Sequence, residues 1–213
     1  MQQTTLAIVL NAFPYNETSL ITKLYTQSCG LKGYIIKGIR RNRNSLSASI
    51  FQPLQIIEAE VCNNQKQSLQ ILRNATITES LSDLRMDIVK STLTMFLTEI
   101  ITLSIRDENP DKQMFEFLSD KIKRLNDAPK AALADFHIRF MIDFANILGF
   151  NITNYDWETG SQSAVTAFIN NPHLNCSKSD RLSVLMSLVS FYEQHITAGR
   201  KVVSHHILHE ILN

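Results

Sequence analysis

Long apolar runs are absent from this chain. Nothing in its 213 residues approaches the roughly 20 consecutive apolar positions that a membrane-spanning helix needs, which argues against a helical span. The opening Met1-Gln2-Gln3-Thr4-Thr5 has neither the basic nor the apolar segment of a secretory leader, so a cytoplasmic location is expected. Cysteine is scarce. Cys29, Cys62 and Cys176 are odd in number and far apart, which suits neither a disulfide framework nor paired zinc ligands and reads as buried free thiols. There is no glycine-rich phosphate loop and no Gly-x-Ser-x-Gly elbow, so the chain offers no motif for nucleotide hydrolysis or acyl transfer and no enzyme is expected.

Excess charge is missing too, until the chain is divided. The formal net charge is +1, and with 44 % hydrophobic residues the composition is that of a globular protein of one large or two small domains. Residues 1–80 carry eight basic side chains against Glu17, Glu58, Glu60 and Glu79, a balance of +4, whereas the remainder carries −3. A molecule polarised in this way is suited to different partners at its two halves.

Periodicity changes at nearly the same place. Five short segments rich in β-branched and aromatic residues, 6–13, 19–26, 33–39, 51–61 and 69–77, are separated by turn residues such as Pro14-Tyr15-Asn16-Glu17 and Cys29-Gly30. Five strands close most economically as a small barrel, because closure removes unpaired edges. Beyond Ser80, apolar residues recur at helical spacing over 84–105, 111–126, 129–148, 180–195 and 204–212, with Gly149 as a helix-terminating residue. The segment 151–177 reads as loop, with two helical turns at 164–169. The expected architecture is α+β, a five-stranded OB-fold barrel over 1–80 followed by an α-helical domain over 81–213.

The strongest local signal is Lys37-Gly38-Ile39-Arg40-Arg41-Asn42-Arg43-Asn44-Ser45, in which four of nine residues are positive and none is negative. A cationic loop hung on a strand can lie along a nucleic-acid backbone while the sheet beside it offers rings for base stacking. Arg40, Arg41 and Arg43 are the expected phosphate contacts, with Lys37 at the base of the loop and Lys23, Lys32 and Arg73 as secondary candidates. Tyr15, Tyr25, Tyr34 and Phe51 are candidate stacking rings. Tyr34 is the best placed, because its strand feeds the basic loop.

Several motifs stand in a familiar order: Ala7-Ile8-Val9-Leu10, Pro14-Tyr15-Asn16-Glu17-Thr18-Ser19, Leu24-Tyr25-Thr26 with Gly30 after it, Lys37-Gly38-Ile39-Arg40-Arg41, Phe51-Gln52-Pro53-Leu54, and a helix ending in Leu148-Gly149-Phe150. In this register the chain resembles the bacterial recombination mediator family RecO over nearly its whole length. The resemblance implies an OB barrel on a helical domain and a role in recombinational DNA repair: binding single- and double-stranded DNA, annealing complementary strands, and assisting recombinase loading onto strands coated by single-strand-binding protein. It implies RecR, in some species RecF, and the C-terminal tail of single-strand-binding protein as partners. For that acidic tail, Lys121, Lys123 and Arg124 form the most compact cationic rim in the second half.

One departure stands out. Many members of that family carry a Cys-x-x-Cys zinc site just beyond the Leu-Gly-Phe segment. Here the region reads Asn151-Ile152-Thr153-Asn154-Tyr155-Asp156-Trp157, with Cys176 and His173 the nearest ligand types. No structural zinc and no other cofactor is expected, the loop being held by packing of Tyr155 and Trp157. His205 and His209, four apart on a helix, could share a metal, but no third ligand is evident and surface histidines are the better reading. The alternative function is a non-enzymatic RNA- or protein-binding scaffold built on the same barrel.

Overall fold

A computed structural model describes residues 2–38, 47–64, 67–106, 109–152, 155, 157, 162–171 and 177–212, with backbone alone at 162–164. The first strand, β1 (Gln2–Asn16), is long because it serves two neighbours. Its first half pairs antiparallel with β4 (Ile56–Cys62), from Gln2 opposite Cys62 to Ile8 opposite Ile56. Its second half pairs antiparallel with β2 (Ser19–Thr26), from Ala7 opposite Thr26 to Asn16 opposite Ser19. β2 continues antiparallel into β3 (Gly30–Lys37), β3 runs parallel to β5 (Leu69–Ile77), and β5 returns antiparallel to β4. The barrel closes in the order β1-β2-β3-β5-β4.

A bulge in β1 decides which side chains look inward. The register slips between Val9 and Asn11, so Leu10 is an extra residue. Before it Ala7 and Val9 belong to the barrel core; after it Ala12 packs there instead. The alternation has inverted, and Phe13 points outward, 48 % exposed. At the same point the segment preceding β4 becomes the partner of β1: Val9 N–H donates to the Gln55 carbonyl (2.9 Å), and Leu54 N–H donates to the Val9 carbonyl (2.7 Å). Leu54 adopts a left-handed backbone (φ 59°) with its side chain fully buried. This turn is why the strand expected over 51–61 is instead a short 3-10 turn, Ala48–Phe51, followed by β4.

The helical pattern also breaks where local hydrogen bonding dictates. The helix expected over 84–105 divides into α1 (Asp83–Met86) and α2 (Ile88–Ser104). Between them the Asp87 carboxylate accepts the N–H groups of Val89 (2.8 Å) and Lys90 (3.0 Å), starting a new helix. Then follow α3 (Lys112–Asp127), α4 (Phe136–Ile147), α5 (Gln162–Asn170), α6 (Lys178–Phe191) with a π turn at Tyr192–Ile196, and α7 (His205–Leu212). Gly149, at φ 87°, closes the α4 segment in the left-handed conformation that glycine tolerates best.

The composition break near residue 80 is not where the chain divides in space. One compact unit comprises Met1–Met86 with Ile105–Asn126, and the other Asp87–Ser104 with Asp127–Asn213. Thus α3 belongs with the barrel. Its Phe115 stacks on Tyr25 of β2 at 6.3 Å between ring centroids, the Tyr25 hydroxyl donates to the Asp111 carbonyl (3.4 Å), and Lys123 pairs with Glu79 at the end of the strands (2.5 Å). In the other unit Leu93, Phe96, Leu97, Ile100 and Ile101 of α2 are buried along with Ile138, Met141 and Phe144 of α4 and Leu188 of α6. The Tyr192 hydroxyl donates to the Met141 carbonyl (2.7 Å), and the Glu99 carboxylate accepts Val203 N–H (2.9 Å) and Ser204 N–H (2.8 Å) at the start of α7.

Candidate nucleic-acid interface

Residues opposite one another in a sheet share a face, so the pairing register builds the outer surface of the barrel row by row. One row runs across four strands: Phe13, Ile21, Ile35 and Ile71. Phe13 and Ile71 are exposed at 48 % and 39 %, and the two isoleucines between them are half-buried. The next row on the same face holds Asn11, Lys23, Gly33 and Leu69, and on the other side Ser19 stands opposite Lys37. Both lysines therefore flank the apolar row, and no carboxylate stands in these rows. At the tip of the β1–β2 hairpin, Tyr15 is 60 % exposed. The root of the basic loop is tied to this corner, because Gly38 N–H donates to the Thr18 carbonyl (2.8 Å) in the same hairpin turn.

The structure brings some of the expected residues together and separates others. Lys23 and Lys37 share the outer face. Among the described residues they enter no ion pair, which leaves their charge available. Arg40, Arg41 and Arg43 lie outside the described residues. Lys32 shares the strand parity of Tyr34 and Ile36, two members of the barrel core, so it belongs to the opposite face of β3 from Lys37. Arg73 stands on β5, two residues beyond Ile71, and its guanidinium is engaged there: it donates to the Gln2 side-chain oxygen (3.0 Å), and Gln2 in turn reaches Glu60.

Tyr34 requires a correction. Expected as an exposed stacking ring, it is 0 % exposed in the barrel core, and burial raises its hydroxyl pKa well above the ordinary tyrosine value. The reason is parity, since Tyr34 and Ile36 point inward while Ile35 and Lys37 point outward. Tyr25 and Phe51 are buried as well. The ring that sequence reasoning passed over is Phe13. Asn11 was the available hint, a polar residue at a position that unbroken alternation would have sent into the core.

In the helical unit, the segment following Phe150 is an aromatic cluster. Tyr155 packs edge-on against Trp157 (4.8 Å) and Phe191 (4.7 Å), Phe150 packs against Phe191 (6.2 Å), and the Tyr155 hydroxyl hydrogen-bonds the His195 ring (3.2 Å). Rings and a single imidazole do not fit tetrahedral zinc, and no three His, Cys, Asp or Glu side chains converge among the described residues. His173 and Cys176 lie outside those residues. His205, expected at the surface, is buried, with its Nδ1 on the Val202 carbonyl (2.8 Å); burial, then the neighbouring His206, lowers its pKa.

The Lys121, Lys123 and Arg124 patch, which belongs to the barrel unit, is engaged locally. Lys123 pairs with Glu79, Arg124 with Asp120 (2.7 Å), and Lys121 lies over the Phe117 ring. A different basic site appears in the helical unit: a pocket lined by His137, Lys178, Arg181 and His209 together with Leu182, Leu185, Leu208 and Leu212. His137 is buried, its Nδ1 has no hydrogen-bond partner among the described residues, and burial followed by the Arg181 charge pushes its pKa down to about 3, so the ring is neutral.

A closed five-stranded barrel with one parallel pair, β3 with β5, is an OB fold, a class whose β2–β3 face and adjoining loops bind oligonucleotides and oligosaccharides. Residues 1–81 match the family described as Recombination protein O N terminal, and residues 85–184 match Recombination protein O C terminal. The chain belongs to the recombination protein O family, a family of DNA repair proteins. It is 25 % identical to the DNA repair protein RecO of Flavobacterium psychrophilum, over the full length of both chains. It is 27 % identical to that of Christiangramia forsetii, over 97 % of this chain and 98 % of the relative. With that of Bacteroides fragilis it shares 30 % identity, over 75 % of this chain and 66 % of the relative. Among the described residues no helix is long and apolar enough to cross a membrane.

Proposed function

We propose that the chain is a non-catalytic DNA-binding factor of recombinational repair in the bacterial cytoplasm. It holds single- and double-stranded DNA on the barrel, anneals complementary strands, and assists recombinase loading onto strands coated by single-strand-binding protein. The observation that carries this reading is the outer face of β1, β2 and β3, where Lys23 and Lys37 stand in register on either side of an exposed apolar row and the Arg40, Arg41 and Arg43 loop begins. Cations along the backbone release condensed counterions and lower the repulsion between two strands, which favours pairing without any bond being made or broken in the DNA.

Salt titration tests it. Single-strand affinity should fall with log-log slope of about −0.7 per phosphate neutralised, and Arg40→Ala with Arg41→Ala should make that slope shallower by roughly 0.7 for each phosphate no longer neutralised. Wild-type slope and annealing rate in the double variant would sink the basic-loop mechanism.

For the helical unit, the pocket around His137 supports a partner site because it brings Lys178 and Arg181 together with the apolar walls of Leu182, Leu185, Leu208 and Leu212. The reading is that the acidic, Phe-ended tail of single-strand-binding protein seats here, its ring among the leucines and its carboxylates toward Lys178 and Arg181, while RecR and in some species RecF are engaged elsewhere. A labelled tail peptide should lose binding to Arg181→Glu and keep it with Lys123→Ala. The opposite pattern would return the site to the α3 patch.

A further inference from the structure

The bulge at Leu10 does more than bend β1. Without it Phe13 would share the inward parity of Ala7 and Val9; with it the ring stands on the outer face, opposite Ile21 and one same-face step from the row that holds Lys23. Such a step is about 7 Å along the strand. Tyr15 is released at the second register shift, between Pro14 and Asn16, and is more exposed still. A half-exposed Phe13 one step from the row of Lys23, and an exposed Tyr15 at the hairpin tip, on a face whose lysines enter no ion pair among the described residues, form an arrangement that loses apolar burial and gains nothing for the isolated barrel. A polyanion with flat apolar faces satisfies both halves of it. Nucleic-acid bases present such faces only when unpaired.

We infer that Phe13 and Tyr15 are base-stacking residues, turned outward by the two irregularities of β1, and that they make this face of the barrel select unpaired nucleic-acid strands over duplex. The inference rests on the reading of the barrel as DNA-binding and adds the residues that distinguish one strand from two. The lysines meet phosphates that both forms possess, whereas the rings meet base faces that a duplex keeps stacked inside itself.

The test uses the full chain with oligothymidylate and with a blunt duplex of equal length. Phe13→Ala and Tyr15→Ala should each weaken oligothymidylate binding about 5- to 100-fold, leave duplex affinity within about twofold, and leave the salt slope unchanged. Phe13→Trp should restore strand affinity, and its indole emission should be quenched on adding oligothymidylate. Phe13→Leu keeps apolar bulk without a ring and should behave as the alanine variant does. Equal loss for strand and duplex, or no loss for either, overturns the inference. So does a change in oligomeric state of Phe13→Ala with strand binding intact, which would assign the face to protein contact. If wild type binds neither nucleic acid, the functional reading itself has failed; if wild type binds and only the lysine variants weaken it, that reading stands and the stacking assignment alone is lost.

Discussion

The two ends of the β1–β2 ribbon present the same outer face to different surroundings. At one end Ile8 stands opposite Tyr25, both are fully buried, and α3 covers them through Phe115. At the other end Phe13 stands opposite Ile21, half a ring lies in water, and lysines occupy the neighbouring positions. Apolar character alone would not separate these ends. What separates them is whether the chain covers its own surface. Where it does, the aromatic is a packing residue; where it does not and unpaired cations surround it, the aromatic is available to a ligand.

Truncating the covered end tests this difference most severely. Tyr25→Ala removes a buried ring from between the barrel and α3 and should cost about 3–5 kcal/mol in urea unfolding, in the range of buried aromatic deletions. Phe13→Ala, half-exposed, should cost roughly 1 kcal/mol or less while weakening strand binding as stated for the stacking rings. Equal destabilisation by the two would show that the ends are not different in kind. A second contrast concerns cations. Lys23→Ala with Lys37→Ala should make the single-strand salt slope shallower by about 1.4, for two phosphates, with stability changed by less than roughly 0.5 kcal/mol. Lys123→Ala with Arg124→Ala should leave the slope alone, because those side chains already face Glu79 and Asp120.

Much of this fold was legible from the chain, and the reasons are local. The segments 19–26 and 69–77 fall on β2 and β5 because each is bounded by turn residues and built from β-formers. The β-former pattern begins only at Leu6, because Gln2, Gln3, Thr4 and Thr5 carry no apolar alternation; they are strand because β4 is there to pair with them, a tertiary fact. The candidate face was only partly legible. Lys37 and Lys23 stand out by charge, but the bulge shows in the sequence only as the polar Asn11 at a position of inward parity, and that signal does not single out Phe13. Tyr34 read as exposed because sequence proximity to the basic loop says nothing about which face of β3 a side chain takes. The packing of Tyr155 and Trp157 was foreseeable, since two rings in a polar loop need somewhere to go.

The smallest expected effect is the sharpest. Gly33 lies in the middle of β3 in the row of Lys23 and Leu69, where a glycine weakens a strand by leaving nothing to pack. A methyl group there would meet the Leu69 Cδ1 at 3.3 Å, the far end of a half-buried and adjustable side chain. The fold alone therefore gives little reason for glycine, and Gly33→Ala should change stability by no more than about 0.5 kcal/mol. If the surface exists for a ligand, the missing side chain has a purpose: it keeps the sheet low between Lys23 and Leu69, so a strand can approach the backbone closely. Gly33→Ala should then weaken oligothymidylate binding severalfold at unchanged unfolding midpoint. The corresponding increment of bulk at the covered end, Tyr25→Trp, should instead register in stability through overpacking against Phe115 and leave the intrinsic strand affinity of the folded protein unchanged.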